Sequence, residues 1–235
     1  MIDVKEVSQE RLMAVTEDLA QWTRLSGSAE ERAAAEYLAA ELTAIGFTTR
    51  LIKHDAYISL PGKATLRVTS PRKRDVSCIT HSMGLDTDGK GVDGDLVYVA
   101  KGRPEDFVRH KAAGKFALVD GRATPQLARD ATRAGVRGLV CISGRIPHEM
   151  CCSPVWGNPS DTTAGELPNI ILISVAHAEG EWMPELCRHG GVQIHVATHV
   201  DTRWRQTPIV QADLEPTAPN AESSFVMLKI GRAHV

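Results

Sequence analysis

The sequence predicts an α/β fold, a sheet with helices packed on it, and two observations carry that prediction. From about residue 84 onward, short apolar segments typical of strands alternate with segments of helical pattern. Such alternation is typical of a sheet covered by helices. Before residue 84 the order is instead helix, helix, strand, strand. With 235 residues, the chain can form one large domain or two modest ones, each with its own core.

Two amphipathic helices are predicted at the start of the chain. The first begins behind Ser8, its predicted N-cap, and its apolar stripe is Leu12, Val15, Leu19 and Trp22. The second begins with a predicted capping box of Ser28 and Glu31, in which each side chain bonds a backbone amide of the other. Its predicted inner stripe is Ala34, Leu38, Leu42 and Ile45. Gly46 follows as a left-handed C-cap.

Two extended segments come next, residues 47–60 and residues 64–70, and Pro61 with Gly62 is expected to separate them. A charged turn follows at residues 71–75. The stretch MGLDTDGKGVDGD, residues 83–95, is rich in Gly and Asp and is predicted to be a linker or domain entrance.

A module of strands and helices is predicted from residue 84 to residue 206, close to the commonest domain size. Its strands are predicted in the runs DLVYVA, KFALVD, RGLVCIS, NIILISV and VQIHVA. Its helices are predicted in TPQLARDATRAG and AHAEGEWMPELCRHGG. Gly135 and Gly138 are expected at a tight passage from helix to strand, where a Cβ would crowd the backbone.

Composition excludes several functional classes. The net charge of -2, from 27 basic and 29 acidic side chains, gives no general attraction to nucleic acid or to an anionic membrane. No apolar run approaches the roughly 20 residues that span a bilayer, and the first residues do not resemble a signal peptide, so a cytoplasmic location is expected. The cysteines show no metal-ligand spacing; Cys141 is predicted in the core, and Cys151 and Cys152 as loop thiols.

Several of these runs carry a family resemblance. GDLVYV, GKFALVD, the run from Ala131 to Val140, and LPNIILISVAHAEGEWMPELC resemble the protease-associated (PA) domain, a noncatalytic module inserted in several peptidases. The upstream segment RLSGSAEERAAAEYLAAELTAIGF is similar to the lead-in of di-zinc aminopeptidases, the group of glutamate carboxypeptidase and the transferrin receptor. The resemblance implies a PA-domain β-sandwich or barrel-like sheet with flanking helices, inserted after the helical N-terminal part of an incomplete α/β metallopeptidase domain.

The domain division expected from this resemblance has four parts. Residues 1–83 would begin the peptidase domain, residues 84–206 would form the PA domain, and residues 207–228 would return to a truncated peptidase domain. Residues 229–235, KIGRAHV, can be encoded by codons that resemble a common sequencing adapter, so this tail is expected to be non-native.

The resemblance also implies a function and a cofactor. Members of the group bind two zinc ions through a His-x-Asp motif, a bridging Asp, a Glu-Glu pair and later residues. The strand expected before the first motif is SSFVML, residues 223–228, so the zinc of a full-length parent would have its ligands outside this chain. No catalytic, metal or cofactor-binding residue is therefore assigned here. The chain is expected to be inactive alone, with its PA domain acting as a lid for a peptide substrate. A stand-alone PA module that binds another protein is the alternative; oligomerisation stays open.

The pair His199 and Asp201 has the His-x-Asp pattern of a metal site, but it is not predicted to bind a metal. Its spacing on a strand lets two side chains face one metal. No further carboxylate or histidine follows at ligand spacing, so His199 is predicted to be a surface or hinge residue. His195 alternates with apolar neighbours and is predicted to face solvent.

Patterns that suggest a nucleophile are also weak. Cys151 and Cys152 lie near His148 in a Pro-containing loop without an obvious orienting carboxylate. Residues 26–28, Ser-Gly-Ser, lack a glycine-flanked elbow, and capping explains Ser28.

The remaining patterns are predicted to be structural. GKGVDGD, residues 89–95, is predicted to be a turn, because no helix follows to cradle a phosphate. Trp156, Trp182 and Trp204 are predicted to be packing residues.

Overall fold

The computed structural model describes residues 8–153, 155 and 157–216. These residues group into two compact units, residues 59–203 and residues 8–58 together with 204–216. The division predicted at 83/84 and 206/207 stays a prediction. The strand predicted at residues 223–228, the tail at residues 229–235 and Trp156 lie outside the described residues.

The described residues form an α/β structure with a mixed sheet, which confirms the predicted α/β class. The PA-domain β-sandwich or barrel-like sheet stays a prediction. The strands are β1 (Thr48–Ser70), β2 (Arg74–Val76), β3 (Ile79–Thr80), β4 (Val92–Tyr98), β5 (Phe116–Asp120), β6 (Gly138–Ile142), β7 (Ile171–Val175) and β8 (Gln193–Asp213). The helices are α1 (Gln9–Ala20), α2 (Ala29–Ala44), α3 (Pro104–Arg109), α4 (Pro125–Arg133), α5 (His177–Gly180) and α6 (Met183–Arg188), with a 3-10 turn at Ala164–Glu166.

In the part of the chain that the structure describes, the sheet has eight strands in the order β2-β1-β8-β4-β5-β6-β7-β3. Its centre is parallel: β4 pairs with β5, β5 with β6, and β6 with β7. Antiparallel strands flank this centre, since β8 pairs with β4 and β3 pairs with β7. The five strand runs predicted after residue 84 all form strands.

Alternation along the central strands sends side chains to two cores. Leu118, Val140 and Ile173 lie in one core, which also contains Met183 of α6 and Leu66 of β1. Their sequence neighbours face the other core, which is covered by α3 and α4. This second core includes Val119, Leu139, Leu172, Phe107 and Leu127. Because side chains point alternately to opposite faces of a strand, fully buried strands of this kind are apolar throughout.

The prediction that Pro61 and Gly62 separate two extended segments is wrong. Strand β1 runs through both residues without interruption. On the β2 side, pairing is confined to Leu66–Val68, so Pro61 has no ladder hydrogen bond to lose there. Gly62 fits because an added Cβ would lie 2.9 Å from Cδ2 of His199.

The two N-terminal helices have the predicted starts. Ser8 Oγ accepts from Arg11 N at 3.2 Å, and Ser28 Oγ accepts from Glu31 N at 3.0 Å. The second predicted bond of the capping box, from the Ser28 backbone amide to the Glu31 side chain, is wrong, however. Glu31 instead accepts hydrogen bonds from Gly27 N at 2.5 Å and from Thr207 Oγ1 at 2.9 Å.

At the end of α2, the predicted C-cap is confirmed, but the prediction for the last residue of the apolar stripe is wrong. Gly46 has φ +99°, the predicted left-handed C-cap. Ile45, predicted to face inward, is 50% exposed.

The predicted helix at residues 176–191 is two short helices, α5 and α6. Pro184 lies in the first turn of α6, where its missing N–H costs nothing, but it cannot continue a helix from before.

Gly135 and Gly138 favour glycine for different reasons. An added Cβ at Gly138 would lie 2.7 Å from the carbonyl oxygen of Ile171, as predicted. At Gly135 the predicted crowding is wrong, because an added Cβ would meet nothing within 4 Å; its φ of +68° is what favours glycine there.

Candidate functional site

Three neighbouring parallel strands of the unit 59–203 each lead into a Gly-Arg dipeptide. These dipeptides are Gly102-Arg103 after β4, Gly121-Arg122 after β5 and Gly144-Arg145 after β6. The carboxyl ends of parallel strands meet at one edge of a sheet, and ligands of open α/β sheets bind in crevices outside that edge. The fold therefore brings three guanidinium groups to the edge where a ligand site is expected.

The first cavity at this edge has a volume of about 210 Å³. It is lined by Arg122, Ser143, Gly144, Arg145, Ile146 and His148. Ser143 is 8% exposed, whereas both arginines are exposed to solvent. Of the described residues that line it, none is acidic.

A second cavity of about 280 Å³ lies beside it and shares Arg122. Its other basic residues are Lys101 and Arg103, and its acidic residues are Asp120 and Asp130. Both carboxylates have internal partners, which lowers their competition for the guanidinium groups.

The partners of these carboxylates are a phenol and an amide. Asp120 accepts from the Tyr98 hydroxyl, and this hydrogen bond raises the pKa of Tyr98 to about 12, so the phenol remains a donor. Asp130 accepts from Gln126 Nε2 at 2.9 Å and 2.8 Å.

Backbone hydrogen bonds fix the loops that carry the arginines. Gly121 N donates to the Ile142 carbonyl oxygen at 3.0 Å, and Ser143 N donates to that of Val175 at 2.9 Å. Gly102 has φ +69°, and an added Cβ would lie 2.7 Å from Cδ1 of Leu127. The dipeptide after β4 therefore needs glycine for both conformation and space.

The chemistry of this carboxyl-edge crevice suits an anion. A guanidinium group presents planar paired donors that match the two oxygens of a carboxylate. Ser143 Oγ forms no hydrogen bond with the described residues and is free to donate to a ligand. Of the described residues that line the first cavity, none is a thiol or a carboxylate.

Sequence reasoning missed Arg103, Arg122 and Arg145 as site residues. The signal was present, because three predicted strands of the module are each followed by Gly-Arg. Recognising it required knowing that those strands are adjacent and parallel.

His81 is a buried histidine that the sequence did not single out. Its Nδ1 accepts from Met150 N at 3.2 Å, which leaves Nε2 to donate to Ser174 Oγ at 2.7 Å. Burial lowers the pKa of His81 to about 4, so the ring is neutral near pH 7. The ring thus connects the chain after β3 to β7 and to the loop at Met150.

The His-x-Asp pair does not form a metal site. His199 Nδ1 lies 3.1 Å from Asp86 Oδ2, while Asp201 pairs with Arg203 at 3.2 Å. The His199 side chain is 71% exposed, in agreement with its predicted surface position. His195, predicted to face solvent, is half-buried and lies 2.9 Å from Asp93 Oδ1.

The described residues do not fit the zinc centre of a di-zinc peptidase. Within residues 8–153, 155 and 157–216, no three His, Cys, Asp or Glu side chains are grouped so that they could hold a metal ion. The two His–Asp pairs each supply two ligands, whereas zinc sites use three or four protein ligands.

The cysteine pattern is not a nucleophile site. Cys152 lies in a loop, as predicted, but is fully buried in the core under α3 and α4. Burial raises the pKa of both Cys151 and Cys152, and thiols of raised pKa are poor nucleophiles. Cys141 is fully buried, as predicted.

The other patterns agree with their predictions in part, since Trp204, predicted to be a packing residue, is 52% exposed. Ser28 is the N-cap of α2. Residues 88–90 form a turn, whereas residues 92–95 of the predicted turn belong to β4, which begins at Val92. Trp182 Nε1 donates to the Glu179 carbonyl oxygen at 2.7 Å, and Trp204 contacts Tyr57 with ring centres 5.5 Å apart.

No protein-family model matches the chain, and no curated protein sequence matches it. Its structure is similar to solved structures of peptidases. An aminopeptidase from Aneurinibacillus sp. strain AM-1 has a TM-score of 0.71 and 18% identity, over 92% of this chain and 50% of that one. A zinc aminopeptidase from Bacillus subtilis has a TM-score of 0.58 and 17% identity, over 83% of this chain and 45% of that one. A peptidase M28 precursor from Shewanella amazonensis has a TM-score of 0.57 and 16% identity, over 84% and 48% respectively.

The chain thus spans about half the length of these structures. At such identities the similarity shows the fold alone, a mixed α/β arrangement of the kind found in aminopeptidases. Among the helices of the described residues, none has the length and apolar character needed to cross a bilayer.

Proposed function

We propose that this chain is part of a zinc-dependent exopeptidase of the aminopeptidase type. In this proposal, residues 84–206 form a noncatalytic PA module that controls the access of a peptide to a catalytic centre formed elsewhere. The observation that carries the proposal is the likeness to aminopeptidase structures over most of this chain but about half of those enzymes.

The two hydrophobic cores within the unit 59–203 support a module role. This unit has a core on each face of its parallel strands, and both cores contain fully buried aromatic or long aliphatic side chains. A unit with its own cores can keep its shape while it is attached to a second domain.

Zinc chemistry is assigned to the parent enzyme only. A zinc ion in such a peptidase lowers the pKa of a bound water so that it can attack a peptide bond. The described residues do not offer a ligand set for it, so no step of hydrolysis is derived for them.

A turnover assay tests this proposal. The 235-residue chain, supplied with zinc or cobalt, is expected to leave aminoacyl-nitroanilide substrates intact. The product of the gene extended beyond residue 228 is expected to hydrolyse them in a metal-dependent way. Turnover by the 235-residue chain that is lost in His199→Gln would contradict the proposal.

A second candidate, a module that only binds another protein, is favoured by the carboxyl-edge crevice. Its three arginines and its lack of paired catalytic groups fit recognition without chemistry. In the extended gene, a Gly-His-x-Asp motif shortly after residue 228 would support the exopeptidase. An extended product without that motif and without metal-dependent turnover would support the binding module.

A further inference from the structure

We propose that the first cavity, between the loops after β5 and β6, binds a carboxylate of a peptide, either an acidic side chain or a C-terminal group. Arg122 and Arg145 would hold the carboxylate, and Ser143 Oγ would donate a third hydrogen bond. The inference concerns binding alone and does not depend on the proposed exopeptidase role.

The lining of the first cavity is positively charged. The lining brings together Arg122, Arg145 and His148, with no acidic residue among the described ones. Neither arginine forms an ion pair with a described residue. The nearby Glu149 is engaged, since its Oε1 accepts from Ser82 Oγ at 3.0 Å. Because the chain as a whole carries a net charge of -2, this local excess of positive charge is a property of the cavity.

The first cavity is small. A volume of about 210 Å³ is below the roughly 300–1,000 Å³ typical of sites for whole cofactors or drug-sized ligands. It suits one amino-acid side chain or one chain terminus. Ile146, which is 60% exposed at the lining, offers apolar contact to the adjoining part of a peptide.

The side-chain donors of the cavity fit a carboxylate, and two backbone amides of its loops are already engaged. Phosphate sites commonly use several free backbone N–H groups at a helix N-terminus or a nest. Here the amides of Gly121 and Ser143 already donate to carbonyl oxygens of the neighbouring strands. The side-chain donors of the lining are two guanidinium groups, a hydroxyl and an imidazole, and a guanidinium group matches two coplanar oxygens.

Binding is tested with the full 235-residue chain and three probes. The first is an N-acetylated tripeptide ending in glutamate, and the second is its neutral counterpart ending in glutamine amide. The third is inorganic phosphate. Affinity is measured by calorimetry, and the Nε–H signals of arginine are followed by NMR. The glutamate peptide is expected to bind and to shift the signals of Arg122 and Arg145.

Variants assign the binding to the cavity. Arg122→Gln and Arg145→Gln are each expected to weaken binding of the glutamate peptide about tenfold, the loss of one charge-assisted pair. Arg122→Lys, which keeps the charge but loses the paired donors, is expected to weaken it less. Arg72→Gln, at an exposed arginine outside the cavity, is the matched control and is expected to leave the affinity unchanged.

Four results would overturn the inference. One is equal binding of the neutral peptide, and another is tighter binding of phosphate than of the glutamate peptide. The third is unchanged affinity in Arg122→Gln and Arg145→Gln when their NMR spectra show the native fold. The fourth is no detectable binding of the glutamate peptide by the native chain.

Discussion

The two compact units of the chain differ in what they bury. The unit 59–203 buries large apolar side chains, including Phe107, Phe116 and Met183. The described part of the other unit, residues 8–58 and 204–216, buries small or polar ones: Glu31, Ala34, Ala35, Ala56 and Thr207. Its exposed apolar side chains are Leu12, Met13, Leu25, Ile45, Leu51, Ile52, Trp204, Ile209 and Leu214.

The two units therefore differ in the source of their stability. Burial of apolar surface is the main favourable contribution to folding, at about 25 cal/mol per Å². We expect the unit 59–203 to be stable through its own cores. The smaller unit has to depend more on helix caps and hydrogen bonds, such as the one between Thr207 and Glu31.

The largest expected effect comes from emptying a core of the larger unit. Phe116 is fully buried, so Phe116→Ala is expected to lower the free energy of unfolding by about 4 kcal/mol. Ile45→Ala in the smaller unit is the matched control, and because Ile45 is half exposed the loss should stay below about 0.5 kcal/mol. Urea unfolding measures both values. Similar losses in the two variants would remove the contrast between the units.

A pH-dependent loss of about 3 kcal/mol is expected from His81 in the larger unit. Its pKa is about 4 when folded and 6.5 ordinarily. Below pH 6.5 the unfolded chain therefore binds a proton that the folded chain does not. The stability present above pH 6.5 should be lost as the pH falls toward 4.

Urea unfolding between pH 7 and pH 4 measures this loss. His81→Asn, whose amide oxygen can still accept from Met150 N, should flatten the pH dependence. His110→Gln, at an exposed histidine, should leave the dependence unchanged. An equally steep dependence in His81→Asn would assign the effect to other groups.

Glycine substitutions should separate crowding from conformational strain. Gly138→Ala is expected to lose about 2 kcal/mol, because the new Cβ would lie 2.7 Å from the Ile171 carbonyl oxygen. Gly46→Ala in the smaller unit has open space but φ +99°, so about 1 kcal/mol is expected. Thermal unfolding of both variants gives the comparison. A larger loss for Gly46→Ala would reverse the assigned causes.

The smallest effects are expected at helix caps, where the two units should respond alike. Ser28→Ala and Thr124→Ala each remove a side-chain acceptor at an N-cap and are expected to lose about 1 kcal/mol. Amide hydrogen exchange should show faster exchange in the first turn of α2 or α4, respectively. Exchange that accelerates throughout the larger unit in Ser28→Ala would contradict a local role.

Much of the fold could be predicted because its signals are local. The strand after Lys115 and the strand after Arg137 are uniformly apolar runs bounded by glycine, and both form as predicted. Ser8 and Ser28 cap the helices that they precede. The continuation of β1 through Pro61 could not be predicted, because it depends on which neighbour lies beside that residue.

The candidate site shows the same limit. The sequence contained the three Gly-Arg dipeptides, but they are separated along the chain by whole helices. The negative predictions on His199 and Cys151 rested on residues nearby in the sequence and, for His199, on the family resemblance. Their partners, Asp86 for His199 and the bridge to Ser82 for Cys151, come from distant parts of the sequence.

The helix starts, most of the strands and the α/β class could be read from the sequence, because propensity, capping and side-chain periodicity act over a few residues. The tertiary structure decided the order of the strands, the partners of His81 and Glu31, and the meeting of Arg103, Arg122 and Arg145 at one edge. These depend on contacts between residues far apart in the chain, and such contacts exist only once the sheet has formed.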